Sequence, residues 1–454
     1  MRRASRRLAR QEAIVTASDA SKTPEAILAA NKAALARLLD SPDCSVAGER
    51  AVGLELERFV IDRTTGHTVA YVDEPGVLSL LKGWAAFFAP EEQVFIDGHL
   101  FGYAGHYDVD GEQVGIAISL EPGSQLEASV GPSPHVWALL GALERFDAQF
   151  ADITAKLGVD WELVAFGFNP TVTSPTEIPL IDKERYHMMD AYLSKTGRYA
   201  RDMMRTTTSA QVSIDLACGS NGVGTYRLAV ALGPVLSFLC DNAPHWRGLS
   251  KKDTPRMAHA RIWESVDADR CGIVPGTFDD GFGSEAYVEW LCGVRPILFT
   301  NEAGESVSTG QETEGEVMSR RLLGKHELAH MISMVFPEVR LKGFAELRQT
   351  DSLPPHQSAA LAAFVKGLFY DPAVGDEVSE LVLPGVDEQA VRDAWGELEE
   401  KGWDATVYGR PVGELVDDLV ALSRKGLAGD ADLALLEPLT SLWAARQVPR
   451  DLAE

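Results

Sequence analysis

Five glutamates in this sequence have the spacing expected of a binding site for a divalent cation. They are Glu55, Glu57, Glu121, Glu127 and Glu346. The first two stand two residues apart, as Glu346 and Arg348 do, so on a β-strand the side chains of each pair project from one face. Carboxylates crowded into an apolar sheet repel one another, and their pKa values rise unless a cation neutralises them. Because Mg²⁺ prefers oxygen ligands and shares its coordination with substrate phosphates, the pattern predicts a magnesium site that organises a nucleoside triphosphate.

Each acidic cluster also has a simpler interpretation when it is taken alone. Glu55 and Glu57 could belong to a solvated strand face, and the segment from Glu121 to Glu127 could be an ordinary hairpin. Glu346 and Arg348 could form a cross-strand ion pair, a contact that contributes little when it is exposed. The presence of three such sets within apolar surroundings favours the cation site.

Composition and charge exclude several classes of partner. The chain has 454 residues, 45% of them hydrophobic, which is enough for a substantial core. Its 67 acidic against 42 basic residues give a formal charge of −25, which opposes binding to nucleic acid or to an anionic membrane. Local arginines, lysines and a metal must therefore capture an anionic substrate.

The N-terminal segment and the cysteines indicate in which cellular compartment the protein resides. The basic N-terminus is followed by no apolar segment, so residues 1–22 are interpreted as a flexible arm of a cytoplasmic protein. The five cysteines form no metal-binding spacing, which favours reduced, packed thiols. They are Cys44, Cys218, Cys240, Cys271 and Cys292.

Hydrophobic periodicity predicts an α+β fold, because hairpin-connected strands interleave unevenly with helices. Helices are expected over 23–39, 134–157, 224–239 and 320–335, and strands near 52–57, 101–108, 113–120, 125–130, 161–168, 206–215 and 338–348. The chain from Pro355 onward is expected to be helical. We therefore predict a catalytic domain over 23–352 and a C-terminal helical region over 353–454 packed on it.

Taken in order, the motifs resemble those of the glutamate-cysteine ligase family of the plant and proteobacterial type, within the glutamine-synthetase-like carboxylate-amine ligases. The matching segments are Gly53–Phe59, Leu120–Glu127, Arg185–Met189, Gln211–Asp215, Arg261–Trp263 and Phe336–Arg348. The resemblance covers about residues 50–352 and follows the family's order throughout.

The resemblance implies an antiparallel sheet curved into a half-barrel, with helices behind it and ATP plus magnesium on its concave face. Mn²⁺ is the alternative ion. The implied reaction activates the γ-carboxylate of glutamate as an acyl phosphate and joins it to the amine of cysteine, in a monomer or homodimer. Such chemistry depends on positioning and charge neutralisation, which carboxylates and arginines supply.

The resemblance also assigns roles to individual residues. The five glutamates would hold the metal ions, with Glu127 essential to catalysis. Gln211 would add a neutral oxygen ligand at the nucleotide site, and Arg348 would steady the transferred phosphoryl group. Arg205, Arg261 and Trp263 are candidates for the substrate pocket, with Arg261 facing an α-carboxylate.

Departures from the family pattern leave the acceptor amine open. Ser124 replaces a glycine in the turn, and Gly343 replaces a basic residue. These changes spare the acidic residues, so a ligase that uses a different amine remains the alternative.

Overall fold

The computed structural model describes residues 23–40, 50–96, 98–217, 221–301 and 305–453. The strands are β1 Val52–Asp62, β2 His67–Thr68, β3 Gln93–Ile96, β4 His99–Val109, β5 Glu112–Leu120, β6 Leu126–Ser133, β7 Trp161–Val164, β8 Ala210–Asp215, β9 Cys271–Gly272, β10 Phe299–Thr300, β11 Ser306–Val307, β12 Phe336–Pro337, β13 Val339–Leu341, β14 Phe344–Leu347, β15 Thr406–Val407 and β16 Arg410–Pro411. The helices are α1 Pro24–Leu39, α2 Val77–Trp84, α3 Val136–Leu157, α4 Glu184–Leu193, α5 Ala200–Thr206, α6 Asn221–Leu239, α7 Ala258–Glu264, α8 Ser284–Gly293, α9 Glu314–Met318, α10 Lys325–Ile332, α11 Pro355–Phe369, α12 Pro372–Val382, α13 Glu388–Lys401, α14 Val412–Gly426, α15 Glu437–Ala444 and α16 Pro449–Leu452.

A large open sheet organises the molecule. Its strands run in the order β13-β14-β8-β1-β6-β5-β4-β3, and β2 and β7 pair with the far end of β1. Neighbouring strands in this sheet are antiparallel. The predicted α+β class with a large antiparallel sheet is therefore confirmed.

The period-two pattern of β1 explains which face of the sheet is apolar. Val52, Leu54 and Leu56 are buried, while Gly53, Glu55 and Glu57, which alternate with them, are only partly covered. Helix α11 packs against β1, α3 and α14 and is buried along most of its length. The apolar face of the strand thus joins the helical core, and the acidic face remains for a site.

Helix α6 is long and apolar enough to cross a membrane by length and composition alone. However, 83% of its window Gly222–Leu239 is buried inside the protein, as in the core helix of a globular fold.

Several predicted elements differ from the observed ones. The strand expected over 161–168 ends at Val164, and the strand expected over 206–215 begins only at Ala210, because helix α5 runs to Thr206. The strand expected over 338–348 is a hairpin of β13 and β14, which turns at Gly343 with φ of +79°. The helix expected over 320–335 is shorter, because α10 begins only after Gly324 and ends at Ile332.

Some predictions concern residues outside the described ranges. The N-terminal arm over 1–22, Cys44 and Cys218 belong to this group. Cys240, Cys271 and Cys292 are free thiols, as predicted for them.

Candidate active site

Cross-strand pairing at the centre of the sheet brings predicted acidic residues together. Strand β1 lies between β6 and β8, and Glu57 stands directly opposite Glu127. Glu55 stands opposite Gln211 of β8. Glu346 lies on β14, which pairs with the other edge of β8. Since directly opposite residues of antiparallel strands project from the same face, the register gathers side chains that are far apart in sequence.

Three of the carboxylates converge closely. Glu57, Glu121 and Glu127 each offer one oxygen, and these atoms lie within 4.8 Å of one another. The Oε2 atom of Glu57 accepts a hydrogen bond of 2.8 Å from the backbone N–H of Ser209. We call these three residues the acidic triad.

Two serines hold Glu127 in place. Ser119 stands opposite it on β5, and Ser129 lies two residues along β6. Both hydroxyls donate to its Oε1 atom, at 2.8 Å and 2.9 Å. These two bonds fix the orientation of the carboxylate.

The turn between β5 and β6 sets the position of Glu121. Its N–H donates to the carbonyl of Gln125, whose side-chain oxygen accepts from the N–H of Gly123 at 2.7 Å. A Cβ atom at Gly123 would lie 2.5 Å from the carbonyl oxygen of Arg205, so only glycine fits there. Ser124 adopts φ of +70°, and its hydroxyl accepts from Tyr71 N–H at 2.9 Å, which explains how serine replaces glycine.

Burial and mutual repulsion destabilise the ionised forms of these acids. Burial raises the pKa of Glu55 to about 7, with the charges of Glu127 and Glu346 adding to the effect. Burial and then Glu121 raise the pKa of Glu127 to about 6. Burial raises the pKa of Glu121 and, together with its acidic neighbours, holds the pKa of Glu57 well above its usual range. Negative charge here therefore lacks sufficient compensation from the protein.

Glu346 has a different electrostatic environment. Its carboxylate accepts from Arg340 Nε at 2.7 Å, from Lys342 Nζ at 2.8 Å and from Arg348 Nη1 at 3.2 Å. Burial alone would raise its pKa, but these three cations outweigh burial and lower it. The turn at Gly343 brings this about by placing Arg340 directly opposite Glu346. Glu346 thus lies at the centre of a basic cluster, and its predicted role as a metal ligand stays a prediction.

Gln211 bridges the two clusters. Its Nε2 atom donates to Glu57 Oε1 at 3.1 Å and to Ser209 Oγ at 2.9 Å. Its Oε1 atom accepts from Arg348 Nη1 at 2.7 Å. The amide oxygen predicted as a metal ligand is therefore directed at Arg348 in this structure.

A cavity of about 330 Å³ opens over these side chains. Its charged lining consists of Glu55, Glu57, Glu121, Glu127, Lys183, Arg185, Arg340 and Arg348. Acidic and basic groups thus share one enclosed space, which suits a ligand that carries phosphates together with cations.

Arg185 is one of the cations of this lining. Its Nη2 atom donates to the Ser333 carbonyl at 3.5 Å, and no ion pair engages it among the residues that the structure describes. Burial lowers the pKa of Arg185. A buried guanidinium with unused donors can accept an anionic group of a substrate.

The three predicted substrate-pocket residues are not brought together. Trp263 lines the cavity, with its ring centroid 5.7 Å from Arg348 Cζ. Arg205 donates to Asp190 at 3.0 Å and is absent from the lining. Arg261 pairs with Glu399 at 2.7 Å and lines a separate open cleft.

Sequence patterns had not assigned several residues of this site. They are Ser119, Ser129, Lys183, Arg185, Ser209, His259, Arg340 and Lys342. Arg340 and Lys342 stand two residues apart in the sequence, which on a strand predicts a shared face. The serines carry no such signal, because only strand pairing shows that they flank Glu127.

The acidic triad fits a divalent cation. Mg²⁺ binds oxygen at about 2.1 Å, so two ligand oxygens of one ion lie no more than about 4.2 Å apart. The three oxygens of the triad all lie within 4.8 Å of one another, so a small movement would bring them onto one ion. The raised pKa values of these carboxylates have the same explanation, since a bound cation would supply the missing positive charge.

Comparison with protein families identifies relatives. Residues 51–416 match the model of glutamate-cysteine ligase family 2. Chloroplastic glutamate-cysteine ligase of Arabidopsis thaliana is 29% identical over 339 residues, which cover 72% of this chain and 61% of that protein. The Brassica juncea enzyme is 31% identical over 276 residues, covering 58% of this chain and 52% of that protein. The chain thus spans between half and two thirds of the length of these two relatives.

Solved structures show only a distant likeness. The complex of the prokaryotic ubiquitin-like protein Pup with its ligase PafA gives a TM-score of 0.38 at 10% identity, covering 88% of this chain and 63% of that chain. The structure of GmaS without ligand gives a TM-score of 0.33 at 12% identity, covering 95% and 77%.

The relatives correct one expectation. Those from Arabidopsis thaliana, Brassica juncea, Oryza sativa and Medicago truncatula are all named as chloroplastic proteins. These names contradict the prediction of a cytoplasmic location, which is therefore wrong.

Proposed function

Since this chain belongs to glutamate-cysteine ligase family 2, we propose that it joins the γ-carboxylate of glutamate to the amine of cysteine at the expense of ATP. The observation that carries the proposal is the convergence of Glu57, Glu121 and Glu127 within 4.8 Å, beside a cavity lined by arginines. The names of the relatives supply the two amino acids.

The reaction has two steps that balance without a covalent enzyme intermediate. An oxygen of the glutamate γ-carboxylate attacks the γ-phosphorus of ATP, and ADP leaves, giving an acyl phosphate. The cysteine nitrogen then attacks the acyl carbon, phosphate leaves and the nitrogen loses a proton. Both steps depend on holding anions together, for which the side chains of this cavity are suited.

The acidic triad would hold a magnesium ion, with Mn²⁺ as the alternative, and Glu55 would extend the site toward Glu346. When bound, the metal neutralises phosphate charge. The protein's own contribution is to fix the carboxylates through Ser119, Ser129 and Ser209.

Arg348 is proposed to contact the transferred phosphoryl group. Only its Nη1 atom is engaged by hydrogen bonds among the described residues, to Gln211 and Glu346. The Nε and Nη2 atoms remain to donate to a phosphoryl oxygen, and a planar guanidinium suits two such bonds. Gln211 would then contribute by orienting Arg348 at the nucleotide.

Arg185 is proposed to bind the α-carboxylate of an amino-acid substrate. It lines the cavity and lacks an acidic partner within ion-pair distance in the described structure. The same role had been expected of Arg261, which is neutralised by Glu399 elsewhere.

The test is release of ADP from ATP by the purified full chain with Mg²⁺. We expect ADP release to require glutamate and cysteine together, with γ-glutamylcysteine as the product. Full activity with another amine and none with cysteine would reject the assignment of cysteine. Absence of ADP release with every amino acid and amine tested would reject the ligase.

Two organisational features accompany this proposal. The chain is proposed to act as a monomer or homodimer on small molecules, which light scattering would decide. We also propose that 23–352 is the catalytic domain and that 353–454 supports it. Asp432 accepts the backbone N–H groups of Val136 and Trp137 at the start of α3, both at 2.9 Å, and Lys366 of α11 donates to the carbonyl of Pro134 at 2.8 Å.

A further inference from the structure

Three buried or half-buried side chains form an array beside Arg348. The indole Nε1 of Trp263 donates a 2.9 Å hydrogen bond to Nε2 of His259. The other ring nitrogen, Nδ1, lies 3.6 Å from Oδ1 of Asp351. His259 and Asp351 are only 2% and 1% exposed, yet His259 reaches the wall of the acidic cavity.

The hydrogen bond fixes the tautomer of the imidazole. An indole N–H can only donate, so Nε2 of His259 must be the unprotonated nitrogen and Nδ1 must carry the proton. Burial, aided by the charge of Arg348, lowers the pKa of His259 to about 3, so the ring is neutral at physiological pH. The Nδ1–H group has no hydrogen-bond partner among the described residues, because Asp351 Oδ1 lies 3.6 Å away.

The far end of the array is rigidly held. Asp351 Oδ2 accepts a hydrogen bond of 2.7 Å from the backbone N–H of Asn242. The backbone of Asp351 also forms an isolated antiparallel β-bridge with Ser209, whose N–H binds Glu57. A Cβ atom at Gly167 would lie 2.2 Å from Oδ2, so this aspartate packs directly on the backbone of a glycine. His259 is thereby placed between a fixed carboxylate and the ring of Trp263.

The near end of the array meets the proposed catalytic arginine. The ring of Trp263 lies 5.7 Å from Arg348 Cζ, within the range of a cation–π contact. Gln211 and Glu346 both accept hydrogen bonds from Nη1 of Arg348. These bonds hold that one nitrogen, but the rest of the guanidinium can still rotate about it. If the indole ring of Trp263 is held at a fixed angle, its contact with the guanidinium prevents this rotation.

We propose that His259 is a positioning residue, which orients the guanidinium of Arg348 by holding the indole of Trp263. The inference rests on the proposed role of Arg348 in phosphoryl transfer. Turnover would then depend on a buried histidine that acts through its hydrogen bond to Trp263.

The test is a set of variants assayed for kcat and KM. Trp263→Phe keeps an aromatic ring beside Arg348 but removes the donor to His259, and His259→Leu removes the acceptor. We expect each to lower kcat about tenfold to hundredfold with KM for ATP unchanged, because misplacement of a catalytic group acts on the transition state. His259→Gln, whose amide oxygen can accept from the indole, should recover most of the loss.

Combined variants show whether the effect passes through the array. The double variant of Trp263→Phe with His259→Leu should be no slower than the slower single variant. In an Arg348→Lys background, Trp263→Phe should cause no further loss. Trp137→Phe is the matched control, since Trp137 stacks on His135 at 5.5 Å in another helix, and it should keep the wild-type kcat.

Three results would overturn the inference. The first is a Trp263→Phe variant with the wild-type kcat. The second is a double variant whose loss of kcat is the product of the two single losses. The third is a loss of activity that accompanies a lower unfolding temperature and that His259→Gln does not recover. If the wild-type chain releases no ADP at all, the proposed function fails separately. In that case ¹⁵N NMR of histidine-labelled protein still measures the tautomer of His259. A proton on Nε2 would reject the hydrogen bond from Trp263 and with it the inference.

Discussion

Replacement of Glu127 by glutamine is expected to make the metal-free protein more stable and the enzyme nearly inactive. Burial and Glu121 raise the pKa of Glu127 from 4.5 to about 6. Since one pKa unit corresponds to about 1.4 kcal/mol, the ionised carboxylate destabilises the folded state by about 2 kcal/mol. Glutamine keeps the oxygen that accepts from Ser119 and Ser129, so it removes the charge without breaking those bonds.

The sign of the pH dependence follows from the raised pKa. Between pH 4.5 and about 6 the folded protein binds more protons at Glu127 than the unfolded chain does, so stability falls as pH rises through this window. The destabilisation by ionised Glu127 is absent below the pKa that this residue has in the unfolded chain. It is complete above the pKa that the residue has in the folded protein. Glu55, with its pKa raised to about 7, extends the window upward.

Urea denaturation in EDTA at pH 5 and pH 8 measures this effect. We expect Glu127→Gln to gain about 2 kcal/mol in free energy of unfolding at pH 8 and less at pH 5. Turnover with Mg²⁺ should fall about a hundredfold or more, because the site loses one charged ligand. Glu380→Gln, at an exposed position on α12, should change neither quantity.

Two outcomes would refute the reasoning. One is a Glu127→Gln protein that is less stable than wild type at pH 8, since that would mean the carboxylate is already compensated. The other is unchanged turnover at limiting Mg²⁺, since that would remove Glu127 from the cation site.

Three further substitutions separate the other charged groups. Glu346→Gln should destabilise the protein by about 3–5 kcal/mol at pH 8, because it leaves Arg340, Lys342 and Arg348 without their shared anion. The pKa of Glu346 is lowered, so its stabilisation is present above pH 4.5 and is lost as pH falls through that lowered pKa; a stabilised variant in urea would contradict this. Arg348→Lys keeps the charge but loses the planar fork, and kcat should fall about a hundredfold with an unchanged circular dichroism spectrum; wild-type kcat would exclude its proposed role. Arg185→Met should raise KM for glutamate about 10–100-fold and leave KM for ATP alone, and the reverse pattern would assign Arg185 to the nucleotide.

The acidic half of the site could be predicted from the sequence because its signal is local. Glu55 and Glu57 alternate with buried leucines, and that period of two defines both a strand and its polar face. The turn at Gly123 likewise shows in its Pro-Gly sequence. The position of Glu127 opposite Glu57 follows once these strands pair, since register fixes which residues face each other.

The basic residues of the site could not be predicted in the same way, because the turn that positions them is not evident from the strand pattern. Residues 338–348 alternate well enough to suggest one strand, but Gly343 reverses the chain. This turn places Arg340 opposite Glu346, so the predicted metal ligand also has a cationic partner that the sequence pattern did not predict.

Arg261 shows why proximity in sequence misleads on a helix. It stands two residues from Trp263 in α7, and such neighbours face nearly opposite sides of a helix. Trp263 points to the cavity, so Arg261 points away, to Glu399. Its family-like motif carried no information about which residue of the segment reaches the site.

The central claim is that the acidic triad binds a divalent cation, and anomalous diffraction from crystals soaked with Mn²⁺ and an ATP analogue tests it most directly. We predict an anomalous peak about 2.0–2.3 Å from oxygens of Glu57, Glu121 and Glu127, and its loss in Glu127→Gln crystals. Manganese bound elsewhere in an active enzyme, with the triad left without an ion, would contradict the claim.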